Sequence, residues 1–146
     1  PGDLDYIHSV ERISKLSNVI SINGGVQLDL MGQENAESTG TRQLSGIGGQ
    51  MDFLEGAYRS KGGKGFICIN SSRVTKDGER KSNILATIPG GSTISAPRTM
   101  IQYVATEYGI ASLSGKTLRE RAEAMASIAH PEFREELMKY AQENFK

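Results

Sequence analysis

Gly46-Ile47-Gly48-Gly49-Gln50 is the segment of this chain whose residue types best suit chemistry. It stands where a polar loop gives way to a helical pattern. Three glycines let a backbone approach a ligand closely and adopt dihedrals closed to other residues. The amides at a helix start point outward and carry partial positive charge. Such amides can hold a phosphate or a developing oxyanion. A plain loop-to-helix turn would use the same glycines, so the segment alone leaves both readings open. It is not a dinucleotide fingerprint, because the sixth position is Met51 rather than Gly. Gly115-Lys116-Thr117 is no P-loop either, since Ile110 occupies the place of the required upstream glycine.

Three carboxylates are candidates for nucleophile or base. Glu34 and Glu37 fall in the polar loop, where solvated side chains are the plainer expectation. Glu107, in Thr106-Glu107-Tyr108-Gly109, follows an apolar strand pattern and suits a hydrogen-bonded anchor. Cys68 on an apolar run reads as a small core residue. His130 before Pro131 reads as a cap or packing residue. Arg59, Lys61 and Lys64 are expected to cluster near the glycine-rich loop. They form a solvated face or a place for phosphate groups.

These residues need elements to hold them. Ile7, Val10, Ile13 and Leu16 predict an amphipathic helix over 4–17. Residues 19–23 and 26–30 have strand character, with Gly24-Gly25 as a turn or bulge between them. A polar loop over 31–50 leads into a helix over 50–59 that Gly62-Gly63 ends. Strands over 65–71 and 82–88 flank the turn Lys76-Asp77-Gly78 and predict a hairpin. A strand over 100–106 precedes two helices. Thr117 or Ser114 can cap the first, over 118–129, with Glu120 at the capping-box position after Thr117, and Pro131 opens the second. The mixture predicts one α/β domain over 1–146, a mixed sheet flanked by helices.

Composition excludes several classes. Lys+Arg and Asp+Glu both number 17, so no global charge attracts nucleic acid or an anionic membrane. No apolar run approaches the ~18 residues needed to span a bilayer. A single cysteine permits no intrachain disulfide and suits a reducing, cytoplasmic setting. His8 and His130 lie far apart, without metal-ligand spacing, so no metal is expected. The chain opens on Pro1-Gly2-Asp3 without Met, which reads as part of something longer.

Taken in order, these segments resemble one family. Ser21-Ile22-Asn23, Val26-Gln27-Leu28-Asp29-Leu30 and Gly32-Gln33 look like its strand-plus-loop signature. Glu37-Ser38, Gly40-Thr41, Ser45 through Phe53 and Ser60-Lys61-Gly62-Gly63-Lys64 continue it. Tyr103-Val104, Thr106 through Ala111, Leu113, Gly115-Lys116, Arg119 through Ala122 and Ile128 through Arg134 close it. The set is similar to the C-terminal domain of the acetyl-CoA hydrolase/transferase family, which includes butyryl-CoA:acetate and 4-hydroxybutyrate CoA-transferases.

The resemblance implies the C-terminal half of a two-domain CoA-transferase, homo-oligomeric at full length. It implies movement of CoA between a short-chain acyl-CoA and a carboxylate such as acetate, through a glutamyl-CoA thioester. CoA is then a substrate, with no permanently bound cofactor. The nucleophilic glutamate is expected upstream of residue 1, so Glu34, Glu37 and Glu107 are not given that role. Gly46, Gly48, Gly49 and Gln50 become the oxyanion and active-site loop, and Val26, Gly49 and Lys64 the CoA contacts. Acyl-CoA hydrolysis and a non-catalytic CoA-binding module are the alternatives. One departure stands out: relatives often carry Asn after the Asp-Tyr-aliphatic triplet, where this chain has Asp5-Tyr6-Ile7-His8.

Overall fold

The computed structural model describes residues 2–146. The predicted first helix is two pieces, α1 (Leu4–Ile7) and α2 (Val10–Lys15). Ser9 breaks it by acting as a cap, its hydroxyl accepting from Arg12 N at 3.4 Å. Only Ile13 of the apolar stripe is buried; Ile7 and Leu16 are exposed.

Strands β1 (Ile20–Gly24) and β2 (Gln27–Asp29) follow, then three two-residue strands: β3 (Glu34–Asn35), β4 (Ser38–Thr39) and β5 (Arg42–Gln43). Helix α3 (Gln50–Arg59) buries Leu54 and Ala57. Full burial of a leucine contributes about 1.5–3 kcal/mol. Gly56 on the same helix allows α2 to come close, since a Cβ there would lie 2.7 Å from Ile13 Cβ. Next come β6 (Lys64–Cys68), β7 (Ser72–Val74), β8 (Arg80–Ser82) and β9 (Ile84–Leu85). The hairpin around Lys76-Asp77-Gly78 joins β7 to β8, not the expected strands 65–71 and 82–88, because β6 pairs with β1 and with residues 103–105 instead. Residues beyond β8 do not extend it: β9 turns away and pairs in parallel with β2. The chain finishes with β10 (Tyr103–Thr106), β11 (Gly109–Ser112), α4 (Leu118–Ser127) and α5 (Pro131–Asn144).

The main sheet has the order β1-β6-β10-β11. β1, β6 and β10 run parallel, and β11 returns antiparallel. Paired residues point to the same face, so the register sorts the side chains. Ser21, Gly65, Ile67, Val104 and Ala111 are buried on one face. α3 packs against β1 and β6, and α4 against β11 and α5. The opposite face carries Ile22 (68% exposed), Cys68, Ile110 (63% exposed) and the stacked Phe66–Tyr103 pair, centroids 4.9 Å apart. Cys68 is therefore a surface residue, contrary to the core position expected. The strand alternates, and only its Gly65 and Ile67 side meets the helices.

Arg121 fastens α4 to the rest. It donates to the carbonyls of Met31, Leu113 and Arg98, each at 2.8 Å. Among the described residues, no helix is long and apolar enough to cross a membrane.

Candidate active site

α3 begins at Gly49 with no side-chain cap. Gly48 before it has φ +60, which only glycine takes without strain. Among the described residues, no hydrogen bond involves the amides of Gly46 through Asp52. These groups are exposed or half-buried as far as Gly49, and they converge on one helix terminus. Gly46, Gly48 and Gly49 thus form a concentrated set of free donors.

Where this terminus lies follows from topology. α3 packs antiparallel to the strands it joins, so its start is level with the C-terminal ends of β1 and β6. At those ends is a shallow depression lined by Gly25, Cys68, Ile69, Asn70, Ala105 and Thr106. Open α/β sheets bind ligands outside the carboxyl ends of their strands. Val26 borders this region, but its N–H is engaged with Asn35 O at 2.9 Å. A ligand would meet Val26 through its carbonyl or side chain.

Lys64 is elsewhere. It begins β6, beyond the C-terminal end of α3, with its N–H on Val19 O at 2.9 Å. Ten helical residues, about 15 Å of α3, separate that end from Gly49. Arg59 and Lys61 share the far end, so the structure does not gather this basic cluster around the glycine loop.

Glu34 departs most from expectation. It is not a solvated loop residue but 0% exposed, held in β3, where its backbone bridges to Ala96. Gln50 Nε2 donates to Glu34 Oε2. Glu34 Oε1 is buried without a partner. It lies under Gly25, where a Cβ would come within 2.7 Å of Oε1 and 3.0 Å of Ile69 Cγ2. Burial pushes the Glu34 carboxyl up to about 8, against a smaller lowering from Gln50. Sequence reading missed this pair. Its visible trace was Gly24-Gly25, a place where the backbone must approach something closely.

The other candidates are quieter. Glu37 accepts from Ser95 Oγ at 2.7 Å. Glu107 is the anchor expected: it accepts from Ser71 Oγ at 2.6 Å and Ser71 N at 2.9 Å. Burial raises its carboxyl, but the Ser71 bonds prevail and hold it below the usual range. His130 caps α5, accepting from Glu132 N at 3.3 Å. His8, in the break between α1 and α2, lies against the glycine loop. A Cβ on Gly49 would be 2.7 Å from its Nδ1, which is 3.5 Å from Asp52 Oδ2.

Comparison with known proteins identifies the family and the fold. The model of the acetyl-CoA hydrolase/transferase C-terminal domain matches residues 2–141. Butyryl-CoA:acetate CoA-transferase of Anaerostipes caccae is 46% identical over 95% of this chain and 31% of its own length. 4-Hydroxybutyrate coenzyme A transferase of Clostridium kluyveri is 47% identical over 97% of this chain and 32% of its own. The crystal structure of RipA from Yersinia pestis superposes with a TM-score of 0.83 at 39% identity, covering 95% of this chain and 30% of that one. The chain thus spans about a third of the length of the curated relatives it matches. By a match running over nearly all of its residues, the chain belongs to the acetyl-CoA hydrolase/transferase family, as its C-terminal domain.

Proposed function

We propose that the polypeptide carrying this domain is a CoA-transferase that moves CoA between a short-chain acyl-CoA and a carboxylate such as acetate. The observation that carries the reading is the row of unpaired amides from Gly46 to Asp52, beside the carboxyl ends of parallel strands. In this mechanism a glutamate outside the chain attacks the thioester carbonyl. The C–S bond breaks, giving an acyl-glutamyl anhydride and CoA thiolate. The thiolate attacks the glutamyl carbonyl and frees the donor acid. The resulting glutamyl-CoA thioester then yields CoA to the acceptor by the same steps reversed.

Each addition places negative charge on a carbonyl oxygen. A carboxylate is a weak nucleophile, so proximity and oxyanion stabilisation must lower the barrier. One backbone donor is typically worth about 3–4 kcal/mol. The amides at Gly48, Gly49 and Gln50 are the donors this domain offers. Val26 and Gly49 are the backbone neighbours of CoA in this reading, and Lys64 serves only a distant part of it.

The remaining polypeptide supplies the glutamate and a cover for the apolar sheet face at Ile22, Phe66, Tyr103 and Ile110. Parallel sheets are normally covered on both faces. A cytoplasmic, homo-oligomeric enzyme completes the proposal. The test is label exchange between acetate and an acyl-CoA by the full-length protein. Exchange is expected; thiol release at the same rate with and without a carboxylate acceptor would replace transfer by hydrolysis.

A further inference from the structure

We propose that Glu34 is a positioning residue for the glycine loop, its side chain tying the first residue of α3 to the β2–β3 pair beside Val26. The function of the loop rests on the CoA-transferase reading; the tie itself does not.

The geometry is direct. Gln50 is the residue through which the free-amide segment enters α3, and its side chain ends on Glu34 Oε2. The backbone of Glu34 is held on both sides. Its N–H donates to Ala96 O at 3.0 Å, and its carbonyl accepts from Ser95 N at 2.8 Å. β3 pairs with β2, placing Leu28 opposite Glu34 and Gln27 opposite Asn35. The Asn35 carbonyl takes the Val26 amide. Glu34 is thus one link between the Gly46–Gly49 loop and the Gly25–Val26 turn.

The carboxyl's surroundings favour its neutral form. Gly25, Ile67, Ile69 and Gln50 face it, and none carries charge. The titratable groups on neighbouring elements have partners of their own. Asp29 accepts from Gln33, Glu37 from Ser95, and Asp52 is paired with His8. A carboxylate buried with one donor and one bare oxygen is strongly disfavoured. A protonated carboxyl keeps an acceptor oxygen for Gln50. Ionisation would draw water or a cation into the space beneath Gly25 and loosen the loop. A branched aliphatic residue would fill this space without such a burden, but it could not make the bond to Gln50.

The experiment uses the full-length protein with E34Q and E34V. E34Q keeps the length and the acceptor oxygen but cannot ionise. Acyl-CoA exchange is followed from pH 6 to 9.5, alongside amide-exchange protection of residues 53–57, the first hydrogen-bonded amides of α3. Wild type is expected to lose kcat/KM by up to tenfold per pH unit above about 8, with a parallel loss of protection. E34Q should lack both alkaline declines. E34V should raise the KM for acyl-CoA at least tenfold at neutral pH and deprotect residues 53–57. The same alkaline decline in wild type and E34Q, in rate and in protection, would overturn the proposal. If the wild-type protein exchanges no CoA, the transferase reading falls. Protection then decides the tie alone: a decline in wild type but not in E34Q upholds it, and matching profiles reject it.

Discussion

Two helix starts in this domain solve the same problem in opposite ways. α4 begins at Thr117, whose hydroxyl accepts from Glu120 N while the Glu120 carboxylate accepts from Thr117 N. α3 begins at Gly49 and has no side-chain cap. Every helix leaves its first amides without internal partners. At α4 the chain supplies acceptors itself. At α3 the residues that could do so are replaced by glycine, and the polar side chain at hand, Gln50, is turned inward to Glu34. A capped terminus serves stability, whereas in the proposed mechanism the open one at α3 leaves its donors for the oxyanion.

The sharpest way to break that comparison is Gly49→Val. Its side chain would collide with the His8 ring and crowd the donors. Losing one oxyanion donor costs about 10²–10³ in kcat. With the collision added, kcat/KM for acyl-CoA exchange should fall by about 10³ or more in the full-length protein. Unchanged kinetics would remove the loop from the mechanism.

Glu34 should appear next, in stability. Its folded value of about 8 lies above the ordinary 4.5. Between those values the unfolded chain is ionised while the folded one keeps its proton. Stability therefore falls as pH rises through that window, by up to about 1.4 kcal/mol per pH unit, and the fall ends once the folded group also ionises. Denaturant melts from pH 5 to 8 should show the slope in wild type and lose it in E34Q. Parallel slopes would place the proton elsewhere.

Thr117→Ala tests the other half of the comparison. Removing an N-cap typically costs about 1 kcal/mol. The melt should shift by that amount while kcat stays within the error of the assay. A loss of turnover without a loss of stability would mean that α4 has a part in the site.

These differences were unequally legible beforehand. The Thr117–Glu120 box and the Pro131 helix start were readable because capping depends on residues within one turn. The glycine loop was readable as an open helix start for the same reason. Glu34 was not. Its surroundings come from Gly25, Gln50 and Ala96, and the polar composition of 31–50 gave no sign that β3 folds beneath them. Cys68 failed in a related way: alternation along β6 was visible, but which face the helices cover is decided by α3 and α4. β9 abandoned the expected hairpin for β2, a partner more than fifty residues earlier. The separation of Lys64 from Gly49 likewise needed the path of α3, since nearness in sequence says little across a helix.

The smallest expected effect belongs to His8. Its pairing with Asp52 is partly exposed, and such pairs contribute about 0–1 kcal/mol. His8→Asn should therefore move the melt by less than about 0.5 kcal/mol. The ring nevertheless covers Gly49 and meets Phe53 edge-on at 5.2 Å. A smaller amide would open the space over the N-cap without touching the donors. The expected result is a few-fold change in the ratio of kcat/KM between a two-carbon and a four-carbon acyl-CoA, with the better of the two nearly unaffected. Equal ratios would make His8 only the plug at the α1–α2 break. A large loss with both substrates would instead show that His8 helps hold the open helix start, which would bring α3 closer to the capped pattern of α4.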